Sequence, residues 1–222
     1  MQLALRVGIV VRQQNPEVVR EPLFRKYGPE GTIRNLTAFE FLSVALSFVL
    51  GLAVTLLLTS LLAAFRARRT TRMDWLPFVW AGFVLTYQFQ YWWAIFELSA
   101  LPEWSVATFG VLLLLAVILF IAGGVILPSG ATEYPADLSD YFLQDGRWGV
   151  VAIACYGIAG ALGNLVLFET PLVSRLNAVQ AGLVLVALLV AGSSNRTVQV
   201  GGTLVFGVLL GIGVTLATPG AY

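Results

Sequence analysis

From residue 39 onward the chain reads as long apolar runs broken by brief polar stretches. The first run, about 39–65, stops at Arg66, Arg68, Arg69 and Arg72, and the second follows over about 75–98. A third, 105–127, carries no charge and ends at Pro128. Runs four to six cover about 148–168, 171–192 and 198–218. Each approaches or exceeds the roughly 20 apolar residues that cross a hydrocarbon core. The pattern therefore predicts an all-α fold, a polytopic transmembrane helical bundle of about six spans. Between the third and fourth runs, an acidic link (129–147) carries Glu133, Asp137, Asp140 and Asp145, and predicts a short surface helix capped by Asp137. Thr170 and Pro171 suit the N-cap and first position of the fifth helix. Arg175 sits in its second turn, from where the guanidinium can snorkel to the headgroups. The turn Ser193 to Arg196 is so tight that the last two helices must run antiparallel.

Residues 1–38 differ from the rest. Arg6, Arg12, Arg20, Arg25, Lys26 and Arg34 alternate with Glu17, Glu21, Glu30, Pro16, Pro22 and Pro29, the pattern of a polar basic extramembrane tail. It has no long apolar stretch of the kind a signal peptide needs. Two readings stand: a surface arm, or a native start near Leu36 with the preceding residues contributed by an upstream start codon.

Composition sharpens this picture. Only 11% of residues are charged and 58% are hydrophobic, against about 25% charged in ordinary soluble domains, so lipid must cover what water cannot. Net charge is +1 with no basic tract, which gives nucleic acid nothing to bind. The chain has no His, so haem and zinc are not expected, whereas a bilin, quinone or carotenoid stays open. The single Cys155 has no intramolecular partner for a disulfide. For orientation, Arg66, Arg68, Arg69, Arg72, Arg147 and Arg196 fall on one side of the bilayer and Arg175 on the other. By the positive-inside rule this places both termini outside, although Arg20, Arg25, Lys26 and Arg34 of the tail oppose it. Trp75, Trp104 and Trp148 mark span ends, where indole rings prefer the headgroup level.

Polar and small residues inside the runs supply the candidate sites. Ser43, Ser47, Gly51, Thr55 and Thr59 recur every four residues and predict one protein-facing stripe, read first as a packing seam and second as a pore lining. Gly207 and Gly211 form a G-x-x-x-G pair suited to packing. In the second run Thr86, Gln90, Trp93 and Glu97 share a face, with Tyr87, Tyr91 and Trp92 beside it. Glu40, Glu97, Asn164, Glu169 and Arg175 all belong to the same end of the bundle. The functional reading is a shallow cavity in which Gln90, Trp92, Trp93 and Glu97, with Glu40 and Arg175 nearby, hold a cation, proton or small amphiphile. Against it stands the reading that the charged groups sit at headgroup level and the aromatics form an interfacial belt. No Walker loop, nucleophile elbow, H-E-x-x-H or C-x-x-C occurs, so no catalytic residue and no metal site is assigned.

The stretch FEFLSVALSFVLGLAVTLLLTSLLAAFRARRTTRMDWLPFVWAGFVLTYQFQYWWAIFEL resembles a group of uncharacterised bacterial integral membrane proteins with an Arg-rich turn after the first span, a D/S-W-L start to the second and a paired-Trp exit from it. The likeness covers roughly residues 37–148. It implies an inner-membrane location and no catalytic residues, and the long basic tail departs from the group's short N-terminus. Three functions compete. One is a small transporter or channel working as a homo-oligomer, another an accessory or assembly subunit of a larger membrane complex, and the third a sensor or binder of small amphiphiles. The expectation favours non-enzymatic binding or transport of a small ligand or ion, with the lipid bilayer as constant partner.

Overall fold

The computed structural model describes residues 38–97, 105–129, 134–168 and 175–217. They form six long helices: α1 (Ala38–Ala67), α2 (Trp75–Glu97), α3 (Val106–Val125), α5 (Arg147–Phe168), α6 (Arg175–Gly192) and α7 (Arg196–Ala217). A short α4 (Leu138–Tyr141) precedes α5 and joins it through a π-helical turn, Phe142–Gly146. Among the described residues there is no strand, only a two-residue bridge between Arg72 and Asp137. The expected all-α bundle is thus observed.

Five helices are long and apolar enough to cross a membrane: Phe39–Ala67, Val106–Val125, Leu138–Gly163, Arg175–Gly192 and Arg196–Leu216. The exception is α2. Its 23 residues span roughly 34 Å, enough for a crossing, but Gln88, Gln90 and its tyrosines and tryptophans lower its hydropathy. The packing compensates. Helices α1, α3, α5, α6 and α7 adjoin one another in the order α1–α3–α5–α6–α7, and α2 packs against α1, α3 and α7 while Tyr87 reaches Tyr156 of α5. One face of α2 is thus enclosed by its neighbours, while Phe89, Trp92 and Trp93 on the other stay exposed. Its face of Leu76, Trp80, Ala81, Val84, Tyr87, Tyr91 and Ile95 is buried.

Local chemistry sets the helix ends. The Arg68 guanidinium donates to the Phe65 carbonyl at 2.7 Å and lies over the Phe65 ring, closing α1. Ser105 caps α3 by accepting from the Thr108 amide at 3.0 Å. Asp137 caps α4 through the Ser139 amide at 2.7 Å, as its position in the acidic link predicts. That link is more helical than expected, because α4 and its π turn run into α5, and α7 starts two residues earlier than the apolar run does. Thr170 and Pro171 lie outside the described residues, as do Trp104, residues 1–37 and the link's 130–133.

The glycine-rich runs pack within the chain at several points. A side chain on Gly149 would strike Ile126, one on Gly157 would strike Gln180 and Val184, and one on Gly207 would meet the Phe83 ring. Gly211, the second member of the G-x-x-x-G pair, has nothing within 4 Å. Only half of that motif therefore serves intramolecular packing.

Candidate functional site

Among the described residues the stripe on α1 is exposed at Gly51, Thr55 and Thr59 rather than packed against a neighbouring helix. Its buried face is Leu46, Leu50, Ala53, Leu57, Ser60 and Ala64. Gly51, Thr55 and Thr59 are exposed, while Ser43 and Ser47 are half-buried. The hydroxyls are satisfied within α1 itself: Thr55 donates to the Gly51 carbonyl at 2.8 Å and Thr59 to the Thr55 carbonyl at 2.7 Å. Ser43 does the same toward Glu40 at 3.1 Å. A β-hydroxyl needs no neighbouring helix when the carbonyl one turn back is in reach, so four-residue spacing alone does not identify a protein-facing side.

The residues of the cavity expected at α2 differ in exposure. Trp92 and Trp93 are 57% and 49% exposed and point away from the core. Gln90 is half-buried, and its amino group is enclosed with no hydrogen-bond partner among the described residues. Glu40 is half-buried in the first turn of α1, and Arg175 is exposed at the start of α6. Glu97 closes α2, but its side chain, like those of Asn164 and Glu169, lies outside the described set. Among the described residues no group of three or more potential ligands could hold a metal ion.

Two features stand out that sequence reasoning passed over. The first is deep in the bundle. Gln88 is 1% exposed, and neither its Nε2 nor its Oε1 has a partner among the described residues. Its amide lies where α1, α2 and α3 meet: a Cβ on Gly123 would stand 3.2 Å from Gln88 Nε2, 3.4 Å from the Ala53 carbonyl oxygen and 3.5 Å from Leu57 Cβ. Ser60, one turn on from Leu57 along the same α1 face, is fully buried with an unpartnered Oγ. One turn on from Gln88 along α2, Tyr91 donates its hydroxyl to the Leu112 carbonyl of α3 at 2.7 Å. A buried amide without partners costs on the order of 1–3 kcal/mol or more, so its presence calls for an explanation. The glutamine was legible in the sequence, but choosing between Gln88 and Gln90 required knowing which side of α2 is enclosed.

The second feature ties the connecting segments together at the opposite end from Glu40. Arg72 exchanges backbone hydrogen bonds with Ala136 and Leu138, at 2.8 and 3.1 Å, and its side chain lies 3.7 Å from Asp137. Thr71 donates to the Pro135 carbonyl at 3.0 Å. The acidic link is thereby fastened to the Arg-rich turn. Asp74 caps α2 through the Leu76 amide at 3.1 Å and binds Arg196 at the head of α7 through both carboxylate oxygens. Burial alone would raise the Asp74 pKa, but the Arg196 hydrogen bonds, the Leu76 amide and the guanidinium charge together hold it below its ordinary value of 3.8. Two turns further along α7, Thr203 accepts from the Trp80 indole at 3.0 Å. The available signal was the Asp-Trp-Leu start of α2, an N-cap placed where a buried carboxylate would need a cation.

No known family model, curated protein or solved structure matches the chain, so its reading rests on these residues alone.

Proposed function

We propose that the chain is a non-enzymatic multi-pass membrane protein that binds a small ligand or ion within its bundle and passes it across the bilayer. The observation that carries this reading is the Gln88 amide, enclosed by α1, α2 and α3 with both polar atoms unpartnered. Buried amides in native bundles are paired, and polar groups at membrane depth commonly mark ligand paths. The half-buried Gln90 adds a second enclosed amino group on α2, one turn or less from the exposed Trp92 and Trp93. A bacterial inner-membrane location, with the Arg66–Arg72 turn inside and both termini outside, completes the reading.

The test is purification in mild detergent followed by mass analysis of the intact species, for the native chain and for Gln88→Leu. The expected result is a small molecule retained by the native chain and lost from the variant. A bare chain in both, with no tracer movement in proteoliposomes, contradicts the reading.

A second reading, an accessory or assembly subunit, is favoured by the exposed Gly51–Thr55–Thr59 stripe, which no described helix covers. It predicts a partner protein recovered in fixed proportion and lost on Gly51→Leu.

A further inference from the structure

The buried polar groups of α1–α3 are arranged in a line. Ser60 lies seven residues before Ala67, roughly 10 Å from that end of α1. Gln88 lies nine residues before Glu97 and Tyr91 six, roughly 13 and 9 Å from the other end of the bundle. Ser60, Gln88 and Tyr91 therefore succeed one another from the Arg-rich end toward the Glu40 end, with steps of about two turns and then about one. Two of the three have unpartnered polar atoms. Ala53, Ala116, Ala122 and Gly123 supply small residues in the same core, which lets the backbones approach.

The line carries no charge. No Asp, Glu, Lys or Arg occurs between residues 41 and 65, between 75 and 96 or between 106 and 125. The same holds for 148–168, 176–192 and 197–217, so the neutrality extends to every long helix. A desolvated ion at this depth would find no opposite charge, and the cost of stripping its water would go uncompensated. An amide, by contrast, offers one acceptor and two donor hydrogens to a neutral molecule that has both kinds of group.

The geometry points to a small uncharged hydrogen-bonding molecule, of the urea or glycerol class, as the ligand that Gln88 and Ser60 hold between α1, α2 and α3. This rests on the binding and transport reading above and narrows it, replacing the cation or proton expected at the α2 exit. The size limit follows from the close approach of α1, α2 and α3 at Gly123, where an added Cβ would already stand 3.2 Å from Gln88 Nε2 and 3.4 Å from the Ala53 carbonyl oxygen.

The experiment uses the full chain in liposomes, with stopped-flow light scattering for urea and glycerol uptake and fluorescent reporters for potassium and proton movement. Native protein, Gln88→Leu and Ser60→Ala are compared, and detergent unfolding midpoints verify that each variant is folded. Gln88→Met, which keeps an unbranched chain, replaces Gln88→Leu if that variant fails to fold. The expected result is urea or glycerol uptake at least severalfold above protein-free vesicles. Gln88→Leu should return it to within about twofold of that background, and Ser60→Ala should lower it, with unfolding midpoints equal to or above native. Potassium or proton movement without solute uptake overturns the neutral-ligand inference and leaves the broader transport reading standing. Movement of no probe, together with no retained small molecule, overturns both.

Discussion

Removing the Asp74 carboxylate should detach the head of α7 from the start of α2, and the size of the effect follows from unequal burial of the two partners. The Asp74 side chain is 7% exposed, whereas that of Arg196 is 45% exposed. Breaking a fully buried pair costs about 3–5 kcal/mol, because the remaining charge stays desolvated. In Asp74→Asn the remaining charge is the half-exposed guanidinium, which water can reach, so the expected loss falls to about 2 kcal/mol. Asp74→Ala also removes the cap on the Leu76 amide, adding about 1 kcal/mol. Arg196→Met leaves the buried carboxylate without its cation and should cost at least as much as Asp74→Asn, although Arg196 is the more exposed residue. Unfolding in mixed detergent micelles, followed by tryptophan fluorescence, measures each loss. A double-mutant cycle should give a coupling of about 1.5–2 kcal/mol. Additive single effects, or losses under about 0.5 kcal/mol for Arg196→Met, would falsify this account of the pair.

Acid should act on the same contact. The folded Asp74 pKa lies below its ordinary value of 3.8, so the pair's contribution is fully present above the unfolded value and is lost as pH falls through the folded one. Midpoints attributable to this pair should stay level from about pH 5 upward and drop below about pH 4, and Asp74→Asn should remove the acid-dependent part; an unchanged acid limb in that variant contradicts the assignment. Glycine substitutions should separate packed from unpacked positions. A Cβ on Gly149 would stand 3.0–3.1 Å from Ile126, including its Cα, so Gly149→Ala should cost about 1–3 kcal/mol. Gly51 has nothing within 4 Å, so Gly51→Ala should be neutral or stabilise by up to about 1 kcal/mol. Equal midpoints for the two variants would show that α3 and α5 are not as closely packed as described.

The helices were legible because a span declares itself by length and apolarity alone, without reference to its neighbours. The faces were less legible. On α1 the regular spacing of Ser43, Ser47, Gly51, Thr55 and Thr59 marks a side of the helix, but Leu46, Ala53, Leu57 and Ser60 form the side that packs. Hydroxyl groups that bond to their own helix remove the polarity that would have required a partner. In the same way Gln88 and Gln90 stand two residues apart in α2, and only the placement of α1 and α3 decides that Gln88 is the enclosed one. Asp74 and Arg196, 122 positions apart in the sequence, could be paired only by topology.

These observations divide the bundle by charge. The formal charges of the described residues lie at the helix ends, at Glu40 and Arg175 on one side and at Arg66–Arg72, Asp74, Asp137–Arg147 and Arg196 on the other. At the second end they are cross-linked: Arg72 binds the acidic link, and Asp74 binds α7. At the first end the helices leave Trp92 and Trp93 outward-facing. One end is thus fastened by ion pairs and backbone hydrogen bonds, while the interior between them holds neutral amide and hydroxyl groups with unused hydrogen-bonding capacity. The charges of the described residues stay at the rims, so under the proposed transport reading discrimination in the interior would rest on size and on hydrogen bonding to the neutral amide and hydroxyl groups.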